Sequence, residues 1–491
     1  QGKMRAEEAV EPILKALGDK DWTVRSAAID ALAKIRDPRS FEALLARMQK
    51  EDARLADDCA VALKKITGQD FEDYVQENFF DPLEMTGSTF RRSEGVQEKG
   101  ATLYENGVAE EYWHILMRPS GSINASANDM ARFLDMFLAR GTLNGVQYAS
   151  PESLARMERV ETTSGAQAGL EVGYGLHNYS STHEHWYYRA HNGGVNGGLT
   201  EFAYMPEVGR GYAFMINSGA GAAFGEISDL IRNYQTRDLE EPVVPDAATL
   251  SEADREITGL YVGINPRQQF SYFIERVLNI ERFWIEDGKL QRKGLMGGDL
   301  IEYVPAGDGK YLSPETGRIV LVQAEDPVAG AVVHVGTRVL KPVSPVVVYG
   351  QLAIGALWLI SIGTSFLYFL VWGVRKLRGK IPKGPSTRIR VWPLLAGVSM
   401  AAFVGLFASG MSSTFNIFAT LGRPTPTSIG IMLASIAFGL FAVLGARTAI
   451  QERNTSMNRV NYWYCSVSSA LHLVVAVYLL WFGVIGFQTW A

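Results

Sequence analysis

Cysteine is scarce in this sequence, which has only Cys59 and Cys465 among its 491 residues. Because one lies in a charged stretch and the other in an apolar stretch, we do not expect a disulfide framework to support the fold. The length leaves room for several domains. The chain begins at Gln1 and shows no signal peptide, so we expect an upstream segment that contains one.

Charged residues are absent from four long apolar stretches in the last third of the chain. Each stretch exceeds the roughly 20 residues that a helix needs to span a bilayer, and tryptophans lie near the ends. The sequence therefore predicts an integral membrane protein with a four-helix transmembrane region over residues 346–491. The stretches are approximately Val346–Val374, Val391–Met411, Pro426–Ala446 and Val460–Gln488.

Basic residues are distributed unevenly among the loops between these stretches. Seven of them, from Arg375 to Arg390, lie in the first loop and three lie in the third, whereas the second loop contains only Arg423. By the positive-inside rule, the first and third loops face the cytoplasm. Everything before Val346 is then predicted to lie outside the cytoplasm.

The first two thirds of the chain contain no excess of basic residues. From Val346 onward, 11 Lys and Arg residues accompany one acidic residue, Glu452. The preceding part has 36 basic and 51 acidic residues, which gives a net charge of −15. This acidic part argues against a nucleic-acid partner.

Residues 9–66 contain an internal repeat with a period of 31 positions. Each unit predicts two amphipathic helices around a short polar turn, and Gly18-Asp19 separates the helices of the first unit. The pattern resembles short HEAT-type repeats, which form an α-solenoid and usually bind proteins, so we predict such a module over residues 1–66. An ordinary helical bundle is the alternative. The recurring residues are Ile13, Leu14, Leu17, Val24, Ala28, Ala31, Leu32 and Ile35, then Leu44, Leu45, Met48, Leu55, Cys59, Ala62, Leu63 and Ile66.

The stretch Tyr187–Gly219 predicts two β-strands joined by a polar turn. Residues 199–205 alternate between two faces, and Tyr212–Ile216 is apolar on both faces, as in a strand inside a sheet. The group His191-Asn192-Gly193-Gly194 precedes the first strand. Glycines beside a strand indicate the close approach of a ligand or another backbone. A histidine there can present an imidazole and free N–H groups to one bound group.

This block resembles the β-lactamase and penicillin-binding-protein family of serine hydrolases, in particular class C and the D-alanyl-D-alanine peptidase branch. His191-Asn192-Gly193 stands where the family has Lys/His-x-Gly on an edge strand of the active site. Phe71–Thr86 looks like the family segment "F..YV...IF.PLGM", with Glu84 in place of a glycine, and Pro119–Phe133 looks like "PAGGL.STA.DLARF". The resemblance covers residues 63–238. It implies a partial α+β domain with an antiparallel sheet over residues 67–238.

The resemblance also implies roles for individual residues. The predicted catalytic residues are His191, which would contact the substrate carboxylate or help to pass a proton, and Gly194, whose N–H would be one of two oxyanion donors. The predicted substrate-binding residues are Asn192, Gly193 and Asn217. As an alternative, the group around His191 only preserves the start of a strand.

The nucleophile motif of that family, Ser-x-x-Lys, is missing, since no lysine has a serine three positions before it. The family's Tyr-x-Asn is missing before Phe71, and we interpret the later Tyr104-Glu105-Asn106 as a coincidence. HEAT-type repeats occupy the place where both motifs are expected. Three origins stay open: a natural fusion into a pseudoenzyme, an insertion of repeats into a hydrolase whose front half is absent here, and a joining artefact.

The remaining residues before the membrane region predict structure without chemistry. Residues 239–255 have the composition of a linker, and short β-like runs between turns predict a small all-β domain, a barrel or a sandwich, over residues 256–342. His183-Glu184-His185 could suggest a metal, but no third ligand has a recognisable spacing, so a solvated hairpin tip is favoured. We therefore predict no metal site and no cofactor.

Together these features predict a multidomain protein of the bacterial cytoplasmic (inner) membrane, with extracytoplasmic N-terminal domains and a β-lactamase-related serine hydrolase domain. The intact family mechanism is acyl transfer on peptide, β-lactam or ester substrates. Whether this chain is an enzyme stays open, because its nucleophile motif is missing. The alternative is a non-catalytic receptor or scaffold, in which the repeats bind a protein and the pseudo-hydrolase domain binds a cell-wall peptide or a small acyl group.

Overall fold

A computed structural model describes residues 9–40, 43–44, 47, 59, 61–62, 64–115, 121–248, 250, 255–411, 417–454 and 457–490. These residues form two compact units. One contains the described residues up to 248 together with 303–324 and 334–337. The other contains the remainder, including the membrane helices.

The first repeat unit consists of two helices, α1 (Val10–Ala16) and α2 (Trp22–Ile35). Asp21 begins α2 by accepting a hydrogen bond from the Thr23 N–H at 2.9 Å, and Arg36 ends it in a left-handed conformation with φ of 58°. The predicted pair of helices around a turn is confirmed for this unit. Most of the second unit lies outside the described residues, but Leu44, Cys59 and Ala62 belong to the same buried core.

The α+β region begins with helices and short hairpins around a central helix. Helix α3 (Phe71–Val75) continues as a π-helical turn over Gln76–Phe80. The central helix α5 (Ala127–Leu138) begins at Ser126, whose side chain accepts from the Asp129 N–H at 3.1 Å. Pro119 and Ser120 of the predicted motif lie outside the described residues. The other elements here are α4 (Glu94–Lys99), β1 (Tyr104–Glu105), β2 (Val108–Ala109), α5 (Ala127–Leu138), β3 (Thr142–Leu143), β4 (Val146–Gln147), α6 (Pro151–Glu158) and α7 (Ser164–Gln167).

The sheet of this region has four antiparallel strands in sequence order, and helix α8 covers one face. The predicted alternation is confirmed, because Ala203 and Met205 pack in a core with Ile231 of α8, whereas Phe202 and Tyr204 pack in another core with α5. Both faces of the sheet are therefore covered by a helix. The elements are β5 (Tyr179–His183), β6 (Trp186–Val195), β7 (Gly198–Met205), β8 (Arg210–Ile216) and α8 (Gly221–Thr236).

Eight further strands close into an antiparallel barrel. The sequence left a barrel and a sandwich open, and the prediction of a small all-β domain is only partly correct. The structure has a closed eight-stranded barrel that also includes a short helix. The elements are β9 (Gly259–Gly263), a 3₁₀ turn (Gln269–Ser271), α9 (Tyr272–Leu278), β10 (Ile280–Glu286), β11 (Lys289–Gly294), β12 (Ile301–Gly307), β13 (Lys310–Leu312), β14 (Ile319–Asp326), β15 (Gly330–Val335) and β16 (Arg338–Val343).

Four helices of the described chain are long and apolar enough to cross a membrane, as predicted. The fourth ends at Trp481 rather than near Gln488, and Gly483 follows with φ of 70°, a conformation that favours glycine. Helix α9 packs against this bundle, where the Tyr478 hydroxyl donates to the Phe273 carbonyl at 2.6 Å. The helices are α10 (Pro345–Leu377), α11 (Pro385–Met411), the short α12 (Ile417–Leu421), α13 (Pro426–Gln451) and α14 (Arg459–Trp481).

Candidate functional site

The predicted site residues lie on the part of β6 that has a neighbour on one side only. Strand β6 pairs with β5 from Trp186 to Ala190, and its pairing with β7 continues to Val195. The four residues from His191 to Gly194 are all exposed. The structure therefore places the predicted His-Asn-Gly-Gly group at a free sheet edge, where a ligand can approach the backbone.

His191 holds a defined hydrogen-bonded position at this edge. Its Nδ1 lies 2.7 Å from the carbonyl oxygen of Asn192, and its Nε2 lies 2.5 Å from the Tyr174 hydroxyl. A carbonyl can only accept, so Nδ1 carries a hydrogen and donates to Asn192, while Nε2 shares a second hydrogen bond with the Tyr174 hydroxyl. Burial raises the pKa of Tyr174, so this phenol stays protonated at pH 7.

A second histidine, His177, lies close enough for the charge of His191 to act on it. Both of its ring nitrogens are buried without a hydrogen-bond partner among the described residues, and the ring stacks on Phe137 at 5.1 Å between centroids. Burial, and to a lesser extent the charge of His191, lowers the pKa of His177 to about 4. His177 is therefore neutral at pH 7.

Sequence reasoning missed Tyr174 and His177 as members of this site. Both lie in the irregular segment between α7 and β5, and no motif or spacing links them to His191. Only the fold brings the three side chains together. The Gly173-Tyr174-Gly175 sequence signals the start of the sheet but gives no indication of a partner for the imidazole.

A buried polar network fixes the segment that carries Tyr174 and His177. The Asn178 amide donates to the Tyr204 hydroxyl at 3.0 Å, and that hydroxyl donates to Glu158 at 2.9 Å. Arg140 closes the network with two hydrogen bonds to the Glu158 carboxylate, of 2.6 and 3.0 Å. The site is thus supported by a charge pair in which both oxygens of the carboxylate are bound.

The two glycines of the group are constrained differently. A Cβ atom on Gly193 would lie 2.6 Å from Thr200 Oγ1, so a side chain can be added there only if the Thr200 side chain moves. A Cβ atom on Gly194 would only meet Leu199 at an ordinary contact distance of 3.4 Å. Packing therefore explains glycine at 193 but not at 194, where an approaching ligand would be a sufficient reason.

Asn217 lies away from His191. The strand register aligns His191 with Phe202 and Ala213, and Asn217 follows Ala213 by four residues. With about 3.3 Å per residue along a strand and about 4.8 Å between strands, the two backbones are roughly 16 Å apart. The Asn217 amide donates instead to the Thr102 carbonyl at 3.0 Å. Its predicted role in substrate binding stays a prediction.

The hairpin β1–β2 contains the sequence Tyr104-Glu105-Asn106 and lies against the turn between β6 and β7. The Tyr104 N–H faces the carbonyl oxygens of Gly197 and Asn217, and the Glu105 carboxylate accepts from the Gly197 N–H at 3.1 Å. Asn106 has φ of 49° at the hairpin turn. Tyr104 and Glu105 therefore contact the backbone of the turn between β6 and β7.

The two histidines at the β5–β6 turn form hydrogen bonds with other residues of this chain. His183 lies 2.7 Å from the Asn233 side-chain oxygen, and His185 lies 3.2 Å from the Glu315 carbonyl. Within the described residues, no group of three His, Cys, Asp or Glu side chains is arranged to hold a metal ion.

Parts of this sequence match two known families. Residues 59–235 match the β-lactamase family, and residues 2–64 match HEAT repeats. The chain carries a β-lactamase-family domain and HEAT repeats. The predicted resemblance and the repeat assignment are confirmed. The two matches overlap at residues 59–64, where the repeats lead into the β-lactamase-family domain.

Individual relatives match only part of the chain. An uncharacterised protein of Mycobacterium tuberculosis strain CDC 1551 is 27% identical over 135 residues, which is 24% of this chain and 34% of that protein. A protein of strain H37Rv matches to the same extent, so the chain spans about a third of the length of these curated relatives.

Solved structures with a similar chain include penicillin-binding and β-lactamase-like proteins. The octameric penicillin-binding protein homologue from Pyrococcus abyssi is 17% identical, covers 59% of this chain and 64% of its own, and has a TM-score of 0.29. The β-lactamase/D-alanine carboxypeptidase from Yersinia pestis, complexed with citrate, is 17% identical, covers 38% and 54%, and has a TM-score of 0.31.

Proposed function

We propose that this chain is a membrane-anchored relative of the β-lactamase-type serine hydrolases that binds peptide, β-lactam or ester ligands at the edge of β6. In the chain as given it does not complete acyl transfer by itself. The observation that carries this proposal is the exposed His191–Gly194 edge next to Tyr174 in a β-lactamase-family domain that lacks Ser-x-x-Lys.

The chemistry of this edge suits a ligand with a carbonyl or carboxylate group. A carboxylate that approaches His191 would compete for the Tyr174 hydroxyl, which can turn and donate to the ligand. Gly194 leaves space for a carbonyl oxygen beside the backbone, as an oxyanion donor requires. Without a nucleophile, such contacts bind and orient the ligand but form no covalent ester.

Covalent labelling tests this proposal. The full chain in membranes is treated with a fluorescent penicillin and, separately, with a fluorescent fluorophosphonate, and is then denatured and separated on a gel. We expect no labelled band at the size of this polypeptide. Protease resistance of the same sample shows that the chain is folded. A labelled band that is absent from the His191→Ala variant would show acyl transfer and overturn the non-catalytic part of the proposal.

A receptor or scaffold role is the second candidate, and the HEAT repeats favour it. Repeats of this kind bind proteins through an extended surface. In this version the β-lactamase-family domain and the repeats both bind partners, outside the cytoplasm by the charge distribution of the loops. Both native cysteines are buried, so cysteines introduced at Val243, which is 93% exposed, and at Lys383 would test the orientation with an impermeant thiol reagent on intact cells. The proposal requires that Lys383→Cys stays unlabelled.

A further inference from the structure

The membrane bundle contains one buried positive charge that has no acidic partner. Arg390 of α11 is 7% exposed. Its Nε donates to the Tyr368 hydroxyl at 2.9 Å, and its Nη1 donates to the hydroxyl of Ser386 at 2.7 Å and to the Ser386 carbonyl. All of these acceptors are neutral. The guanidinium charge is therefore oriented by its neighbours but not compensated.

No acidic residue of the bundle is available to pair with Arg390. From Val346 onward, Glu452 is the only acidic residue in the sequence, and it lies 2.9 Å from Arg388. The Nη2 atom of Arg390 makes no hydrogen bond within the described residues, yet it is not sealed from solvent. A buried, uncompensated charge is unfavourable unless an opposite charge binds to it.

The surroundings of Arg390 are strongly basic and polar. The Tyr368 hydroxyl that accepts from Arg390 donates in turn to Asn461 at 3.1 Å, which joins α10, α11 and α14 at this end of the bundle. Lys376, near the end of α10, donates to the Thr387 hydroxyl at the start of α11 at 2.8 Å. Ten basic residues and one acidic residue belong to the two loops at this end, from Arg375 to Arg459.

We propose that this end of the bundle, the Arg390 site formed by Tyr368, Ser386, Arg390 and Asn461, binds a phosphate group. The Nη2 atom of Arg390 still has two N–H groups that can donate to phosphate oxygens, and a basic pocket between membrane helices attracts anionic headgroups. Arg390 is five residues from the start of α11, about 7.5 Å along the helix, which suits the depth of a lipid headgroup. The phosphate is that of an anionic lipid or is free in solution.

Lipid retention by the purified full chain tests the proposal. The chain in a neutral detergent is mixed with equal amounts of phosphatidylglycerol and phosphatidylcholine, and the retained lipids are measured by native mass spectrometry. We expect the wild type to retain phosphatidylglycerol preferentially, and Arg390→Gln to lower that retention about tenfold, as the loss of a charged hydrogen bond implies. Lys383→Gln removes one exposed charge from the same loop and should change retention less than twofold.

Two further arms decide the source of the phosphate and guard against misfolding. If radiolabelled inorganic phosphate binds the wild type and not Arg390→Gln, while neither lipid is preferred, the free ion is the ligand. If Arg390→Gln does not fold, Arg390→Lys and Tyr368→Phe take its place, and each should weaken retention at least threefold. Equal retention in the wild type and in these variants, or no binding of either phosphate, overturns the proposal.

Discussion

Two arginines in this molecule are almost equally buried, yet their surroundings differ. Arg232 of α8 is 6% exposed and lies 2.9 Å from Glu201, in a cluster that Tyr212 and Ser228 complete by hydrogen bonds to the same carboxylate. Arg390 in the membrane bundle is 7% exposed and has only neutral acceptors. The first charge is neutralised within the fold and fastens a helix to the sheet. The second leaves a positive charge for a ligand.

The largest effect is expected when Arg232, the paired arginine, loses its carboxylate partner and so resembles Arg390. Glu201→Ala removes the carboxylate and leaves Arg232 buried without compensation, which should lower the free energy of unfolding by about 3–5 kcal/mol. Proteolysis of the full chain in increasing urea measures this for the β-lactamase-family domain. The control is Asp238→Asn, which breaks the exposed pair with Arg210 and should have a much smaller effect. Equal effects of both variants would mean that burial does not separate the two pairs.

His177 gives a third case, a buried group that is uncharged because it has no partner. Its pKa is about 4 in the folded chain and about 6.5 when unfolded, so the unfolded chain binds the proton first as the pH falls. Stability should decrease between pH 6.5 and pH 4, by about 3 kcal/mol at the lower limit. The urea–proteolysis midpoint measured at several pH values checks this. His177→Phe keeps the stacking on Phe137 and should flatten the curve; an unchanged pH dependence would contradict the burial argument.

The converse experiment gives the unpaired arginine a partner. Ser386→Asp places a carboxylate beside Arg390, where it should stabilise the bundle by about 1–3 kcal/mol, as a charged hydrogen bond does. It should also abolish the preference for phosphatidylglycerol. Thermal unfolding in detergent and native mass spectrometry measure the two effects, with Ser386→Asn as the uncharged control. A more stable bundle that still selects phosphatidylglycerol would separate the lipid from Arg390.

The smallest effect concerns a backbone position that lies outside both clusters. Glu84 has φ of 54°, a conformation that favours the glycine found at this place in the family segment. Glu84→Gly should stabilise the domain by up to about 1 kcal/mol, reduced by the loss of its exposed ion pair with Arg132. Glu84→Ala loses the ion pair without relieving the backbone, so it should not stabilise. The same urea–proteolysis assay distinguishes the two variants.

Local patterns predicted those elements that local physics determines. The alternation along 199–205 predicted which side chains share a face of the sheet. Apolar runs predicted the four membrane helices, although the fourth ends earlier because the chain turns at Gly483. Each of these features depends on neighbours in sequence.

Features that depend on distant contacts could not be predicted in this way. Tyr174 and His177 lie near His191 only in the folded chain. Closure of the barrel likewise depends on pairing between its first and last strands. Arg390 belonged to the basic first loop in the sequence, but the structure places it inside α11 and buries it. Counting charges in the sequence identified Arg390 as a basic residue but could not show which groups surround it.

Reversible binding of a ligand at the edge around His191 is the decisive test of the proposed function. A fluorescent penicillin is titrated with the full chain in detergent at pH 7, and binding is followed by fluorescence polarisation. The proteins compared are the wild type, His191→Ala and His183→Ala, which removes an imidazole at the other end of the hairpin. We expect saturable binding that His191→Ala weakens about tenfold and His183→Ala leaves unchanged. Identical titrations for all three proteins, or no saturable binding by the folded wild type, would contradict it.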